Sequence, residues 1–416
     1  MGRDESEQQT IPLPPRCVAD ATRCHSKQPV KPSYRITQRA RLLTASLALA
    51  FAGFAIAETN APPAFLSVVT AHFAAWDRNH DGILATDELD ALVADPRVAK
   101  QEAAAVAALK RASRSRTIKL PPLTLESIPA LATNKPDTGS PDLARMYREG
   151  MTRLGNATHR ELFASGLPKL ETIHQGKLGN CFCLAPLGAM VHRNPKQVAD
   201  LFTARGDGTY RVQLGKQAVL VTSPTDAELA MTASNEQDGI WVNLYEKAVG
   251  QARNEARPPA ERAGSALDAL ARGGSAGTML ALITGHEITR FSFKFAKDPA
   301  VAGKEREAKL KELSDQLAAA AAAGRLMTCG TLKTTTPGLT PNHAYAVLDY
   351  SPKTGAVTLW NPHGGKFSPK GDPGLKNGYP EKDGVFELPV RDLVQQFSGM
   401  AFEVPEAPLH ENPIRP

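Results

Sequence analysis

The segment 175–190, QGKLGNCFCLAPLGAM, carries the residues best suited to covalent chemistry. Turn-forming glycines and Asn180 precede Cys181, and an apolar run with small residues follows, so the cysteine opens a helix. There a thiolate is stabilised by unpaired backbone N–H groups and the positive end of the helix dipole, and the thiolate is the nucleophile. A buried structural cysteine fits the same helix equally well, and the segment by itself does not separate the two readings. Nucleophilic catalysis also needs a base. His343 is the candidate, because it opens a strand directly after a Pro/Gly/Asn turn, at the rim of a sheet. Asn361 ends the following strand, where an amide can fix the tautomer and orientation of the imidazole. Gln175, ahead of the helix, can point a side-chain N–H at a developing oxyanion.

Two kinds of scaffold must position these groups. From about residue 142 the chain reads mostly helical, with a hairpin at 208–221 (GTYRVQLGKQAVLV). A long Ala/Lys/Glu/Leu helix at 304–323, read as a solvated surface helix rather than a membrane element, leads into 325–330 (RLMTCG). Strand-like runs follow at 343–350 (HAYAVLDY) and 356–360 (AVTLW), joined by a Pro-Lys-Thr-Gly turn. That turn brings His343 and Asn361 to the same end of the strand pair. Helices first and strands second predict an α+β fold with a cleft between two halves.

Ahead of this body, Phe65, Val68, Val69, Phe73 and Trp76 fall at helical spacing, and Leu89, Leu92 and Val93 begin a second such run. The loop between them, 77–88 (DRNHDGILATDE), resembles the EF-hand calcium loop. Asp77, Asn79 and Asp81 offer oxygens at positions 1, 3 and 5, and Gly82 supplies the sharp turn at 6. Ile83 offers its carbonyl at 7, Ala85 leaves position 9 to a water, and Glu88 can bind bidentately at 12. Ca²⁺ is therefore the expected metal, and in a millimolar-calcium environment it acts as a structural clamp. EF-hands pair through position 8, here Leu84. The segment 104–131 is the expected metal-free partner, with Ile118 near the pairing position and Ser113, Arg114, Ser115 and Arg116 placing cations where ligands belong.

The N-terminus reads as a leader. Arg35, Arg39 and Arg41 precede the apolar run 42–57, which ends in Ala55-Ile56-Ala57, a small-x-small cleavage pattern. A retained anchor is the alternative, although a transmembrane helix takes roughly 20 apolar residues. Because no Met occurs between Met1 and Met146, a start at a non-Met codon such as Val30 is expected. The expected location is secreted or periplasmic, with no stable membrane anchor after cleavage. Removing the leader leaves Cys181, Cys183 and Cys329, an odd number in an oxidising compartment, so at least one thiol is free or pairs between molecules. A Cys183–Cys329 disulfide is permitted there, while Cys183 reads more simply as a small buried hydrophobe. The formal charge of +6 is concentrated in the leader, where residues 1–57 hold eight Lys/Arg against four Asp/Glu. The remainder is close to neutral, which excludes a nucleic-acid footprint. Nothing in the sequence sets the oligomeric state.

The body resembles the calpain family of papain-like cysteine proteases. Gln175-Gly176-x-Leu178-Gly179-Asn180-Cys181 is similar to the family's QGxLGDCW segment, His343-Ala344-Tyr345 to its histidine strand, and Asn361-Pro362 to its asparagine turn. Between them, 241–248 (WVNLYEKA) resembles the WxxLxEKA helix, and Gly273-Gly274-Ser275 with 282–285 resembles the GGS…LTG segment. The resemblance implies a helical lobe and an antiparallel β lobe, with a polypeptide substrate. It also implies Cys181 as nucleophile, His343 as base and then acid, Asn361 as orienting amide, and Gln175 as oxyanion donor. The expected organisation is a leader (1–57), an EF-hand module (58–132), a linker and lead-in helix (133–154), the protease domain (155–405) and a tail (406–416). Three departures stand out: Asn180 for Asp, Phe182 for Trp, and His363 where a Trp ordinarily shields the His–Asn bond. Pro186 also lies inside the nucleophile helix, where it removes a backbone bond. The departures leave open a binding module that keeps the cleft without turnover, and a Cys-His-Asn site can also transfer its acyl group to an amine.

Overall fold

The computed structural model describes residues 64–115, 120–132, 141–234 and 237–404. The leader, Ile118, most of the 133–141 linker and the 406–416 tail lie outside the described residues. The described residues belong to one compact unit.

The first helices are α1 (Phe65–Trp76), α2 (Thr86–Ala94), α3 (Lys100–Ser113) and α4 (Ile128–Leu131). The apolar stripe read from the sequence is the buried face of α1. Between α1 and α2, Leu84 N–H donates to the Leu123 carbonyl at 2.9 Å. Leu123 lies just after Pro121-Pro122, which hold the chain extended. Helix α3 buries eight consecutive residues, 103–110, five of them alanine. It packs on α5 (Leu143–Asn156) and α8 (Asp226–Met231). Small side chains make that crossing close: a Cβ on Gly150 of α5 would lie 3.4 Å from Ala104 Cβ and 3.5 Å from Ala230 Cβ. Lys110 of α3, only 1% exposed, is gripped by Asp90 of α2 at 2.5 Å and by Asp268 of α10 (Ala266–Ala271) at 2.8 Å. Arg114 adds a second cation to Asp268. One hydrophobic core runs from Phe65 through the 181–193 helix to Trp360.

The remaining elements follow in order. Helices α6 (Cys181–Arg193) and α7 (Pro195–Ala199) lead to a small antiparallel sheet of β1 (Phe202–Ala204), β2 (Thr209–Leu214) and β3 (Gln217–Thr222), the last two being the expected hairpin. Helices α9 (Trp241–Glu255), α10 and α11 (Ala276–Thr284) complete the helical part. The second half is a six-stranded antiparallel sheet ordered β4-β9-β5-β6-β7-β8. Its strands are β4 (Glu287–Ser292), β5 (Met327–Thr331), β6 (Ala344–Ser351), β7 (Ala356–Trp360), β8 (Val385–Pro389) and β9 (Phe397–Val404). Helices α12 (Lys294–Lys297), α13 (Gly303–Ala322) and α14 (Val390–Gln396) belong to this half. Leu313 and Leu317 of α13 join Tyr345, Phe397 and Phe402 in a second core. No described helix is long and apolar enough to cross a membrane.

This is the mixed α+β architecture the patterning predicts. Helix α6 joins its parts: it packs on β6, and Gly188 lies so close to the Trp360 ring that a Cβ there would come within 2.4 Å of it. Pro186 sits inside α6, which continues to Arg193.

Candidate active site

The β6–β7 hairpin places His343 and Asn361 at one end of the strand pair. His343 immediately precedes β6, where its backbone N–H donates to Thr331 Oγ1 at 3.1 Å and its carbonyl accepts the Thr331 N–H at 2.9 Å. Asn361 immediately follows β7, and its Oδ1 lies 2.9 Å from His343 Nε2. The proton on that bond can be located. Asn361 Oδ1 also accepts the His363 backbone N–H at 3.1 Å, while Asn361 Nδ2 donates to Glu381 Oε1 at 3.2 Å. Oδ1 is therefore the acceptor face of the amide and Nε2 carries the hydrogen, which leaves Nδ1 of a neutral imidazole with its lone pair free.

His363 covers this pair. Its ring stacks on His343 with centroids 4.4 Å apart and planes 24° apart, so an imidazole occupies the place expected of a shielding ring. Burial, followed by the neighbouring His363, pushes His343 down to about 4, against the opposing effect of the Asn361 bond. Burial and then Lys177 lower His363 as well. Glu381 was not found by sequence reasoning. It is buried, and burial raises its pKa while the Asn361 amide opposes. It reaches the site through an isolated bridge to Phe367 within an irregular loop, which carries no periodic signal.

Cys181 is the first residue of α6 and is buried save for a 9% exposed edge. Burial pushes its thiol up, while backbone N–H groups of Ala344, Phe182 and Cys181 itself pull the other way. Cys181 and His343 line one cavity of ≈ 580 Å³, whose walls come from 273–277 and from β4, β5 and β9. All three described cysteines are free thiols. Cys183 is fully buried in α6 and its thiol is raised far more than Cys181 by that burial. Cys329 lies at the cavity wall with its thiol also raised well above the ordinary value by burial. Gln175 is not among the residues lining the cavity. Its backbone N–H donates to the Pro362 carbonyl at 2.7 Å, which ties the entry to α6 to the asparagine corner, and its Oε1 is buried without a hydrogen-bond partner. His174 forms a backbone bridge with Ser234 and backs against Gly364.

Several motif residues outside the cavity support the nucleophile. Asn180 Nδ2 donates to Glu246 Oε1 at 2.6 Å in the core, and Glu246 Oε2 accepts the Ala233 N–H at 2.9 Å. Burial raises Glu246 to about 7, so an amide rather than a second carboxylate at 180 avoids like-charge repulsion there. Arg253 sits 4.7 Å from the centre of the Phe182 ring and donates to the Gly273 carbonyl at 2.7 Å. It thereby fastens the Gly273-Gly274 wall to the residue beside Cys181. A Cβ on Gly274 would lie 2.6 Å from the Phe182 ring, so the wall requires glycine at this point. The model of the calpain family cysteine proteases matches residues 151–401. The chain belongs to the calpain family of cysteine proteases. No match was found among curated proteins.

The calpain-family match begins after the 77–88 loop. In that loop Asp77 accepts the Asp81 and Gly82 N–H groups, Asp81 Oδ1 accepts the Ile83 N–H, and Gly82 has φ +79°. Glu88 accepts the Arg78 N–H at 2.7 Å and the Ala85 N–H at 2.9 Å. Asn79 Nδ2 donates to Asp81 Oδ2. Among the described residues no three His, Cys, Asp or Glu side chains are gathered as a metal site. Asp77 and Glu88 are nonetheless buried at 6% and 5% exposure, and among the described residues neither forms an ion pair. The donor set, all hard oxygens with carboxylates among them, fits Ca²⁺.

Proposed function

We propose that this calpain-family chain is an exported endopeptidase that cuts polypeptides through a thioester on Cys181. The observation that carries the proposal is the 2.9 Å His343 Nε2–Asn361 Oδ1 bond, in a site where Cys181 and His343 share one cavity. Nδ1 of neutral His343 takes the Cys181 proton as the sulfur attacks the scissile carbonyl. The tetrahedral oxyanion is stabilised by backbone N–H groups at the start of α6, and Gln175, which stands behind the cavity wall, contributes its amide only if the side chain turns into the cleft. His343 then returns its proton to the departing amine, leaving the thioester. Water, deprotonated by the same nitrogen, releases the acid and restores the thiol. Asn361 holds the tautomer, Glu381 holds Asn361, and the His363 ring keeps water from their bond.

Incubation with an unfolded polypeptide, followed by mapping of the cut bonds, tests the proposal. Internal cleavage should stop when an epoxide thiol reagent adds to Cys181. A protein that labels at Cys181 yet cuts nothing is the cleft-bearing binding module instead.

The pH dependence follows from the same geometry. Catalysis here needs neutral His343, so kcat/KM is present above its folded pKa near 4 and lost below it. His363→Ala removes both a ring that buries His343 and a neighbour that disfavours its cation. The acid limb of the kcat/KM profile is therefore expected to move up from near 4 toward the ordinary value of 6.5. An unmoved limb contradicts the role given to His363.

The 58–132 region is proposed to be an EF-hand module whose Asp77, Asn79, Asp81, Ile83 carbonyl and Glu88 hold Ca²⁺. The ion would cross-link the two ends of the loop and neutralise its buried carboxylates. Adding calcium to chelator-treated protein is expected to raise Tm by several degrees, and Glu88→Gln to abolish most of that shift. An equal shift in the variant removes the site.

A further inference from the structure

The cavity beside Cys181 has a composition the reaction does not explain. Its lining contains a single permanently charged side chain, Arg290, and no Asp or Glu. Arg290 lies on β4 opposite Ala401 of β9, and both residues line the cavity. The guanidinium rests over the start of α11, where a Cβ on Gly277 would come within 3.3 Å of Nη2. Glycine there leaves the cation room.

Arg290 is exposed and forms no ion pair among the described residues. The carboxylate nearest along the facing strand is Glu403, paired with Ile288 two residues away in register. Glu403 is fully buried and already held by Arg193 at 2.6 Å and by His286 at 2.8 Å. Elsewhere arginines near the core are spoken for: Arg114 by Asp268, Arg253 by the Gly273 carbonyl, Arg153 by the Thr232 carbonyl. An unpaired guanidinium facing a cleft presents five donors in a fork that matches a carboxylate. The rest of the wall, with Phe291, Leu332, Met400 and Ala401, is apolar or uncharged, so nothing in it compensates a second cation.

We propose that Arg290 is a specificity-determining residue, selecting polypeptides with an Asp or Glu side chain close to the scissile bond. This rests on the endopeptidase reading above and names its substrate class. A cavity of ≈ 580 Å³ admits only a short stretch of substrate around the Cys181 sulfur. An acidic side chain in that stretch lies within reach of the one cation, while a Lys or Arg there meets like charge without a counter-ion.

Two measurements test it. Sites cut in an unfolded polypeptide are mapped first, and matched peptides of the best site are then made with Glu, Gln or Lys at the acidic position. Wild type is expected to favour Glu over Gln by about fivefold in kcat/KM. It should disfavour Lys further, and the preference should shrink in high salt. Arg290→Gln should abolish the Glu/Gln ratio, and Arg290→Glu should invert the Glu/Lys order. The second measurement needs no turnover: Cys181 is alkylated with anionic iodoacetate and neutral iodoacetamide. The iodoacetate-to-iodoacetamide rate ratio should fall severalfold in Arg290→Gln. If that ratio falls while no peptide is cut by any form, the endopeptidase reading fails and the anion-selecting cleft stands. If neither the peptide preference nor the reagent ratio changes in Arg290→Gln, the proposal is overturned.

Discussion

Replacing Cys181 with alanine is expected to lower kcat on an unfolded polypeptide by roughly 10⁴- to 10⁶-fold, leaving only what substrate positioning supplies. The size of the loss follows from the site having one usable sulfur. Cys183 is enclosed in α6, and Cys329, although at the cavity wall, has its thiol raised by burial with no opposing N–H group. Cys181 has burial opposed by three backbone N–H groups, two at the helix start and that of Ala344 on β6. Iodoacetamide at neutral pH should therefore label Cys181 first, with the modified residue read by mass spectrometry. His343→Ala should cost nearly as much, and the Cys181→Ala/His343→Ala pair little more than either alone, because the two act as a unit. Cys183→Ala removes one buried sulfur and is expected to cost about 1 kcal/mol of stability without a comparable loss of rate. Retention of more than about one part in a hundred of wild-type kcat by Cys181→Ala would transfer the nucleophile's role elsewhere.

The groups legible in the sequence are those whose placement depends on local geometry. Cys181 could be read because glycines and an apolar run mark a helix start. His343 and Asn361 could be read because a four-residue turn between alternating strands fixes which ends meet, and the 2.9 Å bond lies at that end. What escaped depends on contacts distant in sequence. Arg290 faces the cavity because β4 pairs with β9, more than a hundred residues later, and the sheet order β4-β9-β5-β6-β7-β8 leaves no trace in hydrophobic alternation. Glu381 enters through an irregular loop. Ile118, expected near the pairing position of Leu84, lies outside the described residues, and the backbone bond of Leu84 goes to Leu123, after the Pro121-Pro122 pair. Nor does sequence contrast show that α3 shares a core with α5 and α8. Its buried stripe is mostly alanine, which stands out weakly from polar neighbours even though it permits close approach.

Lys110→Ala is expected to be the most destabilising single substitution outside the cleft, at about 3–5 kcal/mol by urea denaturation. The side chain is 1% exposed and its ammonium bridges Asp90 and Asp268, carboxylates that are themselves only 13% and 15% exposed. Truncation leaves both acids buried, Asp268 with Arg114 and Asp90 without its ion-pair contact. Burial already raises Asp90, with Lys110 opposing, whereas for Asp268 the two cations outweigh burial and hold it below the ordinary value. Removing Lys110 drives both pKa values upward. A carboxyl whose folded pKa exceeds its unfolded one destabilises the fold above that value and ceases to do so on protonation. The deficit of Lys110→Ala relative to wild type should thus be largest at neutral pH and shrink toward pH 4. Replacing an exposed pair member such as Lys309, 45% exposed beside Glu312, should cost under about 1 kcal/mol at any of these pH values. Function should follow stability through one route. Helix α10, which carries Asp268, ends two residues before Gly273, where the cavity wall begins. Loosening its anchor should raise KM before it lowers kcat. Asp90→Asn combined with Lys110→Met removes charge from both sides at once, and recovery of most of the lost stability by that pair would locate the cost in the unpaired carboxylates rather than in a cavity.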